Sequence, residues 1–286
     1  MKLVRFDAGN GPRCGVVVDD AVLDLAAAGC RYSDMMAIIG GGATALNALR
    51  ECVAGTQAQH ALGDVRLLAP VAKPGKYLAI GMNYKKHADE ARKLGITVPE
   101  HQVWFNKQTT CICGPYDEID PGVTEKLDYE AELGLVIGAP AKGVKQADAL
   151  KHVFGYFVAN DISARDWQQH TPTFTMGKSF DTHGPIGPWI ITADEVPDPQ
   201  NLELRCYVND ELRQQTSTGD MVHRIANQIE YLSTAFTLES GDLIATGTPS
   251  GVGIAMNPPV FLQPGDVVRC EIDGIGAIEN RVRGLR

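Results

Sequence analysis

The chain has 286 residues, of which 44% are hydrophobic and 21% charged, and its net charge is −9; this is ordinary globular composition, enough for one large domain or for a large and a small one. The acidic balance and the lack of any Lys/Arg run argue against a nucleic-acid partner, so an anionic substrate would need local positive charge from a bound cation or a few chosen side chains. No long apolar run opens the chain, and its seven scattered cysteines lack Cys-x-x-Cys spacing, so we expect no signal peptide, no membrane span and reduced thiols in a cytoplasmic protein.

Residues 1 to about 70 read as a small unit. MKLVRF and GVVVDDAVLDL are strand-like, the second a hairpin turning at Asp19-Asp20, and residues 33 to 53 are helical with an interruption at Gly40–Gly42. Nothing catalytic stands out there. The looser stretch at 54 to 76 is the best boundary, giving an N-terminal domain over 1–70 and a main domain over 71–286. The strand KYLAIG then leads into GMNYKKHADEARKLG, a predicted helix over about 84 to 94 with Asn83 as a possible cap. By itself this is a charged surface helix. His87 and Glu90, however, are i, i+3 neighbours, and a carboxylate beside an imidazole orients it as a general base. Gly81 and Gly95 flank the segment and would let it move as a lid. Cys111 and Cys113 read as two small apolar side chains on one strand face.

The stretch LDYEAELGLVIG, residues 127–138, is the most informative. Alternation puts Leu127, Tyr129, Ala131, Leu133, Leu135 and Ile137 on one face. The other carries Asp128, Glu130 and Glu132, then Gly134, Val136 and Gly138, which does not resemble a solvent face. Carboxylates roughly 6.5–7 Å apart repel, and burying them unpaired costs several kcal/mol or more. A hard cation would resolve the conflict, with Glu130 and Glu132 as ligands and Asp128 as a third ligand or an outer partner. Thirty residues on, the strand GYFVAN ends at Asp161, which is open to two readings: a cap for a helix near Ser163, or the third carboxylate of the site. No His or Cys joins at zinc spacing.

Further along, TFTMGKSFDTHGPIGP holds Lys178 in a Gly/Pro-rich loop, as a surface residue or as an ammonium fixed against an anionic oxygen. His183 is as easily a hydrogen-bonded structural residue. ATGTPSGVG, residues 245–253, is neither a Walker loop nor a dinucleotide fingerprint, but its amides and Thr hydroxyls are suited to a carboxylate. No G-x-S-x-G elbow occurs, which disfavours a serine hydrolase. Short strands with turn signals dominate, so the expected fold is α+β and β-rich, with peripheral helices.

Taken in order, GMNYxxHAxE, DYEAELGLVIG, GYFVANDISARD, GKSFDTxGPIGP and ATGTPSGVG resemble the fumarylacetoacetate hydrolase family, in the bacterial acylpyruvate and diketo-acid hydrolase-like branch with a small N-terminal domain. The resemblance implies a mixed β-roll core in a homodimer and Mg²⁺ or Mn²⁺ held by Glu130, Glu132 and Asp161. It implies a catalytic His87–Glu90 dyad on a lid, with Lys178 beside metal and substrate. Tyr84, Gln168 and Thr248 would lie on the substrate side, and Arg165 would be structural. Some acylpyruvases carry Arg where this chain has Met82. The implied activity is hydrolysis of a C–C bond in a small anionic 2,4-diketo acid through a pyruvate-type enolate. Oxaloacetate decarboxylase, ketoacid tautomerase and ureidoglycolate lyase activities are the alternatives on the same site.

Overall fold

The computed structural model describes residues 1–93, 95 and 97–284. Residue 94, the predicted end of the second helix, lies outside the described residues, as does residue 96. Five strands and one helix come from the first seventy residues: β1 (Lys2–Asp7), β2 (Pro12–Val18), β3 (Ala21–Asp24), α1 (Met35–Val53), β4 (His60–Ala61) and β5 (Arg66–Leu68). The β2–β3 hairpin turns at Asp19-Asp20, as expected, with Asp19 at φ 51. Helix α1 starts from Asp34, whose carboxylate accepts from Ala37 N, and it kinks at Gly42 (φ 50, ψ −134), a conformation glycine adopts without steric cost.

The remainder runs β6 (Tyr77–Gly81), α2 (Lys85–Lys93), β7 (Val103–Asn106), β8 (Ile112–Cys113), β9 (Leu127–Asp128), β10 (Ala131–Ile137), α3 (Gln146–Ala149), β11 (Val153–Asn160), β12 (Ser163–Ala164), α4 (Arg165–Gln168) and β13 (Gly184–Thr192). It ends with β14 (Glu203–Val208), β15 (Glu211–Ser217), α5 (Ile225–Ala235), β16 (Leu243–Ala245), β17 (Val267–Ile272) and β18 (Gly276–Arg281). A twelve-stranded mixed sheet follows the order β4-β3-β2-β1-β13-β11-β10-β16-β6-β7, with β5 beside β1 and β8 beside β13. The second sheet, β15-β14-β17-β18, packs across β10, β11 and β13. The fold is strand-rich with few helices, as the sequence predicts. The N-terminal strands extend the main sheet through the β1–β13 pair, where Lys2 faces Ile191.

Strand β10 is buried along its whole length, which explains the alternation in residues 127–138. Its odd positions enter one core with Leu204 and Val268 of the second sheet and Ile229 of α5. On the other face Val136 joins a second core with Ile38, Ile39 and Leu49 of α1 and Phe157 of β11. Gly134 is required there, since a Cβ would stand 2.2 Å from the Phe157 ring. The strand is therefore sandwiched, and its carboxylates are enclosed.

Two cysteine expectations are corrected. Cys30 and Cys52 form a disulfide, their Cα atoms 5.7 Å apart. The chain reversal through α1 brings them together, which scattered spacing does not reveal. Cys111 and Cys113 are free and buried, but Cys111 closes a 3₁₀ turn, so the two do not share a strand.

Candidate active site

The ends of β10 and β11 bring three buried carboxylates together. One oxygen each from Glu130, Glu132 and Asp161 lie within 4.8 Å of one another. Asp161 does not cap a helix: its oxygens accept from Lys107 Nζ and, at 2.7 Å, from Lys178 Nζ. Lys178 also reaches Glu130 Oε2 at 2.8 Å, and Arg165 Nη2 lies 2.7 Å from Glu130 Oε1. Burial alone would raise the Glu130 carboxyl, but Lys178 and Arg165 hold it well below the usual range. Glu132 is different. It has no ion pair among the described residues and accepts one backbone hydrogen bond, from Gly247 N at 2.7 Å. Burial, with Asp161 and Glu130 nearby, pushes its carboxyl well above the ordinary range.

That imbalance is the test of fit for a cation. An all-oxygen set suits a hard divalent ion, and an ion would keep Glu132 ionised beside two other anions. Asp128 is not part of the set. It pairs with Arg165 Nε at 2.8 Å and accepts from Gly253 N at 2.8 Å and Ile254 N at 3.0 Å, so it is an outer partner.

Helix α2 carries the dyad. His87 Nδ1 lies 3.1 Å from Glu90 Oε2, while Glu90 Oε1 accepts from Gly251 N at 3.0 Å. The i, i+3 spacing thus does bring the pair together, and the helix buries only Ala88 and Ala91. Asn83 is no cap: its amide donates to His223 O and Thr246 O and accepts from His223 N, tying the start of α2 to β16 and to the loop before α5.

The segment 245–254 binds carboxylates, as its composition suggests, but they are the protein's own. Its amides at Gly247, Gly251, Gly253 and Ile254 hold Glu132, Glu90 and Asp128. One loop therefore positions a candidate metal ligand, the dyad and the partner of Arg165 at once. Its hydroxyls are occupied too: Thr246 donates to Leu133 O and Thr248 to Ala131 O, and Thr248 accepts from Gln214 Nε2.

A cavity of about 480 Å³ is lined by His87, Glu90, Glu130, Arg165, Lys178 and apolar side chains, while Glu132 and Asp161 lie behind its wall. Gln168 and Thr248 also line it. Gln168 is held by Arg165 Nη1 at 3.0 Å, and Gly177 packs so close to it that a Cβ would lie 2.3 Å from Gln168 N. Tyr84, expected on the substrate side, does not line the cavity. It is buried in the core beneath β10, and its hydroxyl has no hydrogen-bond partner. A short consecutive motif places Tyr84 near the site in sequence, but its side chain is packed in the core. His183 is structural: it is buried, its Nε2 is 3.0 Å from Asp120 O, and burial depresses its imidazole to about 3.

Lys107 was missed by the sequence reading. It follows β7, is buried and bonds both Asp161 and the Lys178 carbonyl. Although burial disfavours its charge, Asp161 raises its pKa. A lone Lys after an apolar strand was the available signal.

Residues 76–283 match the family model described as fumarylacetoacetate (FAA) hydrolase C-terminal, and residues 1–70 match one described as Rv2993c-like, N-terminal. An oxaloacetate tautomerase of Xenopus laevis, mitochondrial, is 41% identical over 99% of this chain and 90% of its own length. A fumarylacetoacetate hydrolase from Exiguobacterium antarcticum superimposes with TM-score 0.83 at 36% identity, covering both chains fully. A maleylpyruvate hydrolase from Sphingobium sp. SYK-6, solved with manganese(II) and pyruvate, does so with TM-score 0.83 at 33% identity, again over both whole chains.

Proposed function

The chain belongs to the fumarylacetoacetate hydrolase family, and from that premise we propose that it is a divalent-metal-dependent enzyme that hydrolyses a C–C bond in a 2,4-diketo acid of the acylpyruvate type. The observation that carries this reading is a cavity lined by the His87–Glu90 dyad and by Glu130, whose carboxylate clusters just beneath the wall with those of Glu132 and Asp161. Glu130, Glu132 and Asp161 would hold Mg²⁺ or Mn²⁺, whose charge favours the electron-rich oxygens of a 2-keto acid as its carbon skeleton is cleaved.

The chain's own groups supply the rest. With its proton on Nδ1 and donated to Glu90, His87 presents a basic Nε2 to a water molecule. Water adds to the C4 carbonyl, the C3–C4 bond breaks, and its electron pair passes to the pyruvate fragment, which takes a proton at C3. The products are a carboxylic acid and pyruvate. Lys178 provides a fixed ammonium beside the developing negative charge. The amide of Gly251 keeps Glu90, and through it the imidazole, in place.

The Xenopus relative favours a second reading, oxaloacetate tautomerisation, in which the same dyad moves a proton between carbon and oxygen without attacking water. A panel of acylpyruvates and oxaloacetate, assayed with and without chelator for pyruvate release and for enol loss, separates the two. We expect His87→Ala to lower pyruvate release about 10²–10⁴-fold while leaving Mn²⁺ affinity intact. Undiminished release by that variant would end the water-activation role, and turnover of oxaloacetate alone would establish the second reading.

A further inference from the structure

The cavity wall mixes polar and apolar groups. Beside the dyad, Glu130, Lys178 and the polar residues Gln168 to Thr171, it is walled by Ile80, Phe105, Phe174, Val252, Ile254 and Ala255. Phe105 and Phe174 meet edge to face, their centroids 5.9 Å apart. About 480 Å³ lies within the ~300–1,000 Å³ of cavities that enclose drug-sized ligands, more than a pyruvate unit fills.

Among the described residues lining the cavity, Lys178 and Arg165 are its Lys and Arg side chains, and both are committed. Lys178 bridges Glu130 and Asp161. Arg165 is shared between Asp128, Glu130 and Gln168. His170 packs on the Trp167 ring, 4.9 Å between centroids. Met82, at the same wall, adds a thioether rather than a charge. A second carboxylate seated on the apolar walls would therefore lose hydration with no free Lys or Arg side chain among the described lining residues to receive it. An apolar chain or ring would gain from the same burial.

We infer that the acyl group of the substrate is uncharged and apolar, seated against Phe105, Phe174 and Ile254, so that medium-chain or aromatic acylpyruvates are preferred over dicarboxylic substrates. The inference rests on the reading above for the 2-keto-acid head, and it runs against both a maleyl-type acyl group and oxaloacetate.

The test is calorimetric titration of the full chain, in Mg²⁺, with straight-chain 2-oxo acids from pyruvate to 2-oxooctanoate, and with oxaloacetate and 2-oxoglutarate. Affinity should rise about fourfold per methylene until the wall is covered. Each dicarboxylate should bind at least about tenfold more weakly than the monocarboxylate of equal carbon number. Ala255→Leu should move the best chain length downward, and Phe174→Arg should narrow or reverse the preference against 2-oxoglutarate. An affinity ladder that is flat, or dicarboxylates that bind as well, would overturn the inference whatever turnover is found. A steep ladder with no pyruvate release from any acylpyruvate would support the apolar tail site and overturn the hydrolase reading. Absence of binding by every 2-oxo acid would overturn both.

Discussion

Residues 1–70 and residues 76–283 share one sheet, yet they bury different chemistry. In the first region Asp24 is the buried charged or polar side chain among those described, and it serves its own neighbourhood: it accepts from Ala26 N and Ala27 N and pairs with Arg13 at 2.9 Å. The second buries Lys107, Asp128, Glu130, Glu132, Asp161, Arg165 and Lys178 within one connected cluster. Charge removed from water is costly, so a protein retains such a cluster where the field does something else. The contrast separates a region that contributes cohesion from one that contributes reactivity.

The sharpest way to break that contrast is Glu132→Gln. Removing one of the three proposed ligands should weaken Mn²⁺ binding on the order of a thousandfold, about 4 kcal/mol. Because Glu132 is anionic only against burial and two neighbouring carboxylates, the same change should raise the melting temperature of the chelator-treated protein. A lower melting temperature with Mn²⁺ affinity unchanged would refute the electrostatic account. On the other side, Ile38→Ala empties part of the fully buried α1 core and should cost about 2–4 kcal/mol in denaturant unfolding. Since no residue of the first seventy lines the cavity, kcat/KM of the folded variant should not move; a large drop would show the regions to be coupled.

Two glycines sharpen the comparison further. Gly251 has φ +104 and a Cβ there would stand 2.0 Å from Arg213 O, whereas Gly9 has φ +96 with open space around it. Gly251→Ala should cost about 3 kcal/mol and also lower kcat by displacing the amide that holds Glu90, while Gly9→Ala should cost about 1 kcal/mol and leave kinetics alone. Equal effects at the two sites would mean that φ alone matters. A last comparison concerns pH. His183 titrates near 3 in the fold against an ordinary 6.5, so between those values the unfolded chain binds a proton that the native chain does not. Its contribution is complete above pH 6.5 and is lost as pH falls towards 3, by about 1.4 kcal/mol per unit. Urea midpoints at pH 7.5 and 4.5 should differ less in His183→Gln than in the unsubstituted protein, and identical slopes would remove His183 as a cause.

Much of the site was readable because it is local. The pairing of Glu130 with Glu132 follows from a strand's period of two, and that of His87 with Glu90 from a helix's turn. The Gly-rich loop announced an affinity for carboxylates, but which carboxylates it serves could not be read, since Glu90 lies 161 residues from Gly251. Tyr84 illustrates the opposite error. It stands beside site residues in the chain, yet its side chain packs in the core with residues of β10. The disulfide between Cys30 and Cys52 escaped for a related reason, as nothing in a spacing of 22 residues implies that a kinked helix folds one cysteine onto the other.

The amino-acid order by itself determined a strand-rich fold, an acidic strand too apolar around its charges to face water, and a base-carboxylate pair on one helical face. Only the tertiary structure decided that Lys107, Lys178 and Arg165 share the charge of Glu130 and Asp161 while Glu132 has no ion pair among the described residues. The physical reason is range. Backbone periodicity acts over a few residues, whereas the electrostatic balance of a buried cluster is summed over side chains that meet only when β7, β10, β11 and the loop at 174–178 are assembled.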